Sequence, residues 1–535
     1  MRKINNNTSV LFLLMLIVTF THCSLANDSY KNNEGRHPDI KPIRNFPNGG
    51  TLNLTFKSKI DGSIQPLLVK IPKGYTPERS WPLLVTLHGL GDGPILAQEI
   101  EAMVQIGPYG RGSVWYSGIG ERDVFECIEM AKKLFSIDEE RLYLCGFSMG
   151  GTGTFDLGFR YPDVWAACVP VCGRCFSLEL VENARHLPFW VNTGSKDIVI
   201  PPKYSKAAYD RARQLGFSKW KYTEYENMGH AFSINWKGIE EWFLANKRTV
   251  NPRRVSFHTK DIRYNRAYWL EVTEIKRYGK IARINAEIDG QKINIKTENV
   301  SNYTLRLNEN LINVAQKIQI LENDVKIFDG SLNKDSCFAK INKNKNKNAI
   351  FKRAGLSGPL WDIYSSSCLL VYGINSKDKS LIKASRKCAE SFSSPAWISK
   401  VNCKIVPDKE VTKEDIAENN LVLFGNPETN KLLAQMLNKL PIKVDGNSML
   451  VRNIKYSANN IGFVLIYPNP LNQEKYVAVF SGNTADAINC FDKIWPRFIS
   501  VPKDVDFGIF EINPGKYSVR WRLKGIFGTN WDWQY

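Results

Sequence analysis

Arg141-Leu142-Tyr143-Leu144-Cys145-Gly146-Phe147-Ser148-Met149-Gly150-Gly151 is the stretch on which the reading of this chain turns. Its first five residues form a short, mostly apolar strand, and Thr152-Gly153-Thr154-Phe155-Asp156-Leu157-Gly158-Phe159 after it reads as a helix. A serine between glycines at a strand-to-helix turn has the form of a nucleophile elbow. The glycines permit a turn tight enough to strain the serine backbone and lift its hydroxyl clear of the sheet. The helix that follows aims its positive N-terminus at the place where an oxyanion would form. Ser148 is therefore the candidate nucleophile; a glycine-rich turn with a bystander serine is the bland alternative.

A nucleophilic serine needs a base, and the base needs an orienting acid. The chain holds six histidines. His22 lies in an apolar N-terminal segment, His37 in a polar stretch, His186 in a loop before a strand, and His258 beyond the expected end of the first block. His88 follows an apolar strand and reads as a prop for the loop after it. His230 follows the alternating strand 220–225 and the turn Glu226-Asn227-Met228-Gly229, and an amphipathic helix comes after it. A base on such a loop can swing its ring over the elbow. The acid belongs between the two in chain order. Residues 188–194 are a buried strand, and Asp197 sits one short turn past its end, where parallel sheets place their chemistry. The competing use of Asp197 is to cap a helix starting near Pro202. Asp156, on the elbow helix, and Asp163, on a surface turn, are less well placed.

Gly-x-Ser-x-Gly, then Gly194-Ser195-Lys196-Asp197-Ile198-Val199-Ile200-Pro201, then Met228-Gly229-His230-Ala231 resemble the α/β-hydrolase fold. Within it the chain is similar to secreted bacterial esterases near polyhydroxybutyrate depolymerases and feruloyl esterases, and to the peptidases called prolyl-oligopeptidase-like. The resemblance covers roughly residues 46–250. It implies Ser148 as nucleophile, His230 as base and Asp197 as acid. It also implies an oxyanion hole built from the backbone N–H groups of Leu90, in the turn His88-Gly89-Leu90-Gly91-Asp92-Gly93, and of Met149. No cofactor and no metal are implied.

The N-terminus carries Arg2 and Lys3 before the apolar run Val10-Leu11-Phe12-Leu13-Leu14-Met15-Leu16-Ile17-Val18-Thr19-Phe20. That run is short for a membrane span and fits a signal peptide, with Ser24-Leu25-Ala26 as a cleavage site. The expected destination is secreted or periplasmic. Cys23 offers a rival reading as a lipidated residue, which would tether the protein to a membrane. The net charge of +19 falls to about +17 without Arg2 and Lys3. Much of the lysine is scattered among asparagine, as in residues 342–348, and reads as a solvated basic surface or as attraction to acidic polymers. There is no nucleic-acid motif.

Eleven cysteines are present. Cys172-Gly173-Arg174-Cys175 falls after a strand at the catalytic edge of the sheet. It reads as a wall of the substrate pocket, rigidified by a local disulfide, rather than as a redox or zinc motif. Cys145 reads as a buried free thiol in a core strand.

At 535 residues the chain has room for about three domains. Residues 1–26 are the expected signal and 27–45 a polar lead-in. Residues 46–250 form the hydrolase block, with early strands at 51–56 and 66–72. Residues 251–341 switch to short alternating strands at 255–258, 267–272, 282–288 and 292–296, which predict a small antiparallel β domain. Residues 342–535 alternate strands (368–373, 421–425, 463–467, 476–480) with helices (381–389, 431–437), which predicts a C-terminal α/β domain. The function expected is a serine hydrolase acting on a small ester or a polymer-linked acyl group. A serine peptidase and a non-catalytic binding protein of the same fold are the alternatives.

Overall fold

The computed structural model describes residues 49–332, 337–341, 350–393, 401–445, 447–494, 505–513 and 518–534. The expected signal segment with Cys23, the lead-in 27–45 and the Lys/Asn run 342–348 lie outside the described residues.

Eight strands make the first sheet: β1 (Gly50–Lys57), β2 (Ile64–Ile71), β3 (Trp81–Leu87), β4 (Val104–Pro108), β5 (Ile137–Phe147), β6 (Ala167–Val171), β7 (Trp190–Gly194) and β8 (Lys221–Tyr225). Their order is β1-β2-β4-β3-β5-β6-β7-β8. β2 runs antiparallel to both neighbours, and every pair from β4 to β8 is parallel. β3, β4 and β6 are buried at every position. Such unbroken apolar strands need cover on both faces. Along β3 and β5 the side chains alternate between two cores. Leu83, Val85, Leu142 and Leu144 face the helices α1 (Ile119–Leu134), α2 (Met149–Arg160) and α3 (Lys203–Gln214). Leu84, Tyr143 and Cys145 face α4 (Trp236–Leu244) through Ile239 and Phe243. The doubly covered, mostly parallel sheet is the architecture that the resemblance implied. Among the described residues, no helix is long and apolar enough to cross a membrane.

Residues 254–340 hold a four-stranded and a five-stranded sheet. Two expectations need correction here. The stretch 267–272 is not one strand: Ala267 pairs with Leu270 and Arg266 with Glu271, so Tyr268-Trp269 is a two-residue hairpin turn. Tyr268 takes φ 55°. The turn is held from outside, because Tyr268 Oη donates to Pro162 O at 3.2 Å and Trp269 Nε1 to Pro252 O at 2.7 Å. The block is also not wholly antiparallel, since Lys292–Glu298 and Ile318–Glu322 pair in parallel.

The last sheet has seven strands, parallel from Lys404–Pro407 through Cys368–Tyr372 and Asn420–Phe424 to Asn472–Gly482, then antiparallel through Ile461–Asn469, Phe507–Asn513 and Ser518–Gly525. The amphipathic helices Lys379–Ser393 and Ala485–Ile494 contribute Phe392 and Phe491 to its core. Cys368 and Cys403 are joined in a disulfide.

The described residues form one compact unit, and polar bonds tie its parts together. Asn183, buried, donates to Phe159 O and His258 O at 2.9 Å each and accepts from His258 N at 2.7 Å. Glu121 on α1 accepts from Tyr264 Oη at 3.1 Å, and Arg263 pairs with buried Asp362 at 2.8 Å. Removing Asn183 strands His258 N–H and two carbonyls. Asn183→Ala is expected to cost about 1–3 kcal/mol for each group left without a partner. Thermal unfolding checks this, and an unchanged Tm would mean that these bonds do not hold the two parts together.

Candidate functional site

Ser148 closes β5 and precedes α2, with φ 56°. A serine held in the left-handed region is strained unless its surroundings over-determine it. The surroundings here are backbone. A Cβ on Gly150 would lie 2.1 Å from Leu87 O, and one on Gly146 would lie 2.4 Å from Gly150 O. The elbow is thus pressed against the end of β3, and only glycine fits on either side of the serine.

The acid and base meet for a similar reason. A Cβ on Gly194 would lie 2.2 Å from Gly229 O and 2.5 Å from Met228 O. Lys196 N donates to Met228 O at 2.8 Å, and Ser195 Oγ accepts from Asn227 N at 2.8 Å. The loop after β7 and the loop after β8 therefore touch along their backbones. Asp197 Oδ1 accepts from the amides of Val199 and Ile200, both at 2.9 Å. Asp197 Oδ2 lies 2.7 Å from His230 Nδ1, and His230 Nε2 lies 2.9 Å from Ser148 Oγ. A carboxylate only accepts, so Nδ1 carries the ring proton and Nε2 is left to accept from the serine hydroxyl. Burial raises the Asp197 carboxyl, but the His230 bond and the two amide bonds outweigh it and hold the group below its ordinary value. The helix expected near Pro202 begins at Lys203 with no side-chain cap, so Asp197 is not its cap.

Leu90 and Met149 belong to segments that both border the elbow. Met149 is the first residue of α2, so its N–H is among those without an intrahelical acceptor. The turn with Leu90 follows directly on Leu87 and His88, whose carbonyls crowd Gly150, and Gly89 lies against the Phe147 ring. His88 is fully buried under this turn, with ring nitrogens 2.7 Å from Gly89 O and 2.8 Å from Tyr109 O. That is the geometry of a prop. His186 and His258 serve packing, facing the carbonyls of Arg254 and Glu179. His22 and His37 lie outside the described residues.

The local disulfide expected at Cys172 and Cys175 does not form: both are buried free thiols. Cys172, at φ 48°, instead has its sulfur within 4.8 Å of a carboxylate oxygen of Asp197. Nothing in the Cys-x-x-Cys spacing reveals this contact. Cys145 is a buried free thiol that donates to Thr86 Oγ1 at 3.5 Å. Apolar side chains stand exposed next to the acid and base loops in sequence: Ile198 at 77% and Met228 at 46%.

No family model matches the chain. Over 153 residues it is 31% identical to the bifunctional acetylxylan esterase/xylanase XynS20E of Neocallimastix patriciarum, covering 26% of this chain and 22% of that protein's length. Similar solved structures include a thermostable esterase, 26% identical with TM-score 0.32 over 37% of this chain and 63% of that one. Another is a ferulic acid esterase of Anaeromyces mucronatus in complex with ferulic acid, 15% identical with TM-score 0.31 over 39% of this chain and 96% of that one. The chain resembles α/β-hydrolase esterases.

The depressed carboxyl has a consequence for stability. Ionised Asp197 stabilises the fold above the unfolded carboxylate value of about 3.9, and that contribution is lost as pH falls through the lower folded value. The Tm gap between the parent and Asp197→Asn is expected to shrink as pH drops from about 6 to about 3. A gap that stays constant across that range would mean that Asp197 is not preferentially ionised in the folded chain.

Proposed function

We propose that this protein is a secreted serine hydrolase that cleaves carboxylic esters through an acyl-enzyme. The observation that carries the reading is the unbroken series Asp197–His230–Ser148, at 2.7 and 2.9 Å. In this reading His230 Nε2 takes the hydroxyl proton as Ser148 Oγ attacks the acyl carbon. The Leu90 and Met149 amides receive the negative charge that develops on the carbonyl oxygen. His230 then passes its proton to the leaving alcohol, and an acyl group stays on Ser148. Water, activated by the same imidazole, attacks that ester and restores the serine. Asp197 keeps the ring in the working tautomer and offsets the charge of the imidazolium.

The substrate class proposed is an acyl ester carried on a polysaccharide. Two features support it: likeness to a protein named as an acetylxylan esterase/xylanase, and the exposed apolar Ile198 and Met228 beside the acid and base in sequence, which suit an apolar acyl group. Secretion is supported by the apolar run after Arg2 and Lys3. In the same proposal residues 46–250 are the catalytic domain, 251–341 a small β domain and 342–535 a C-terminal α/β domain that acts in substrate capture or stability.

Ser148→Ala is expected to lower turnover of a short-chain aryl ester by on the order of a million-fold, with an unchanged circular dichroism spectrum and no labelling by a fluorophosphonate probe. Near-normal turnover would overturn the nucleophile. Asp197→Asn is expected to lower turnover by up to roughly ten-thousand-fold, by analogy with a serine-protease triad. Activity close to the parent would assign the orientation of His230 to another group. A panel of acyl esters beside peptide amides tests the bond type, and cleavage of the amides alone would overturn the ester reading.

A further inference from the structure

The triad carboxylate has a second neighbour that a serine hydrolase does not need. Cys172 Sγ, a carboxylate oxygen of Asp197 and a ring nitrogen of His230 all lie within 4.8 Å of one another. Cys172 and Asp197 are buried, while His230 keeps an exposed edge, its side chain 20% accessible. A thiol, an imidazole and a carboxylate are the donors that Zn²⁺ and its thiophilic relatives take, at about 2.0–2.3 Å each. Hard cations such as Mg²⁺ and Ca²⁺ prefer sets made wholly of oxygen.

From this cluster we infer that Cys172, Asp197 and His230 form a site for a thiophilic divalent cation, Zn²⁺ or Cd²⁺, whose occupation switches the hydrolase off. The inference deepens the serine-hydrolase reading and rests on it for its consequence. Balance is simple. The thiol S–H bond breaks, its proton leaves to solvent, and an S–metal bond forms. The proton on His230 Nδ1, now on the metal side, moves to Nε2. Asp197 is already ionised and gives up nothing. No electron changes hands, and one proton is released for each cation bound.

The inhibition follows from the tautomer. With Nε2 protonated, the ring presents a donor to Ser148 Oγ where catalysis needs an acceptor. The nucleophile keeps its proton, and the acid that oriented the base is occupied by the metal. Geometry also limits the alternatives. The other buried free cysteines of the hydrolase block, Cys127, Cys145, Cys168 and Cys175, belong to no group of three donor side chains among the described residues.

The test uses the full chain. Zn²⁺ or Cd²⁺ should inhibit ester hydrolysis, with Mg²⁺ and Ca²⁺ at the same concentration having no effect. Cys172→Ser and Cys172→Ala should raise the metal concentration for half-inhibition by at least the roughly 10–100-fold that loss of even an outer-shell partner costs. Each variant is compared with its own metal-free rate. Co²⁺ gives a readout free of activity. A thiolate-to-cobalt absorption band should appear in the parent and in Ser148→Ala, and be absent in Cys172→Ser. If the protein had no esterase activity, that band would still report the site, so the two readings fail separately. Inhibition of Cys172→Ser at the parent's metal concentration, or a cobalt band that survives Cys172→Ser, would overturn the inference.

Discussion

Everything at the site depends on how closely the backbone after β5 is pressed to the end of β3. Three carbonyl contacts leave no space for a side chain at Gly146 or Gly150. Ser148, caught between them, adopts φ 56°, a conformation that an L-residue takes only under duress. Ser148 directly precedes α2, whose first amide, that of Met149, has no intrahelical acceptor, and the Leu87 and His88 carbonyls that crowd Gly150 lead into the turn that carries Leu90.

The second pairing obeys the same logic through different residues. Gly194 lets the loop after β8 run against the loop after β7. Asp197 and His230, 33 residues apart in the chain, are then separated by one hydrogen bond. The amides of Val199 and Ile200 fix one carboxylate oxygen, so the other has a single orientation in which to meet the imidazole. Backbone contacts place the loops, and side-chain bonds then choose the rotamers. A site assembled this way leaves no room for side chains at Gly146, Gly150 and Gly194.

Much of this was legible in the sequence because it is local. A serine flanked by glycines, a strand ending in Gly194 before Asp197, and a glycine before His230 each announce a turn with a candidate functional side chain on it. Four strands of the C-terminal sheet were legible for another reason: buried on both faces, they are continuous apolar runs; Lys404–Pro407, Phe507–Asn513 and Ser518–Gly525 were not read from the sequence. What escaped depends on distant partners. The hairpin at Tyr268-Trp269 has none of the glycine or asparagine that marks a two-residue turn; it is held by carbonyls of Pro162 and Pro252. The parallel pairing inside residues 254–340 depends on register across the sheet, which alternation does not encode. Cys172 and Cys175 have the spacing of a bonded pair, yet the first is turned to Asp197 by the left-handed backbone after β6. β4 and α1 lie between β3 and β5 in the chain and carry no motif.

All the candidate catalytic residues precede residue 250, but the support of their loops does not stop there. Asn402 N donates to Asp61 at 2.8 Å, and Asp61 pairs with fully buried Arg111 at 2.9 Å. Arg111 also pairs with Asp123, which accepts from Gly110 N at 2.9 Å. The Tyr109 carbonyl next to it lies 2.8 Å from one ring nitrogen of His88 and the Gly89 carbonyl 2.7 Å from the other, and the single N–H of the neutral ring bonds one of the two. One guanidinium thus serves two buried carboxylates. Burial raises both, yet the Arg111 and amide bonds bring Asp61 below its ordinary value while Asp123 is pushed up to about 6. Asp61, the one that remains readily ionised, is the one bonded to the C-terminal part of the chain. Breaking a buried pair is far costlier than making one is favourable. The Asn402 amide thus joins a residue beyond 400 to the buried charge network that neighbours the His88 turn.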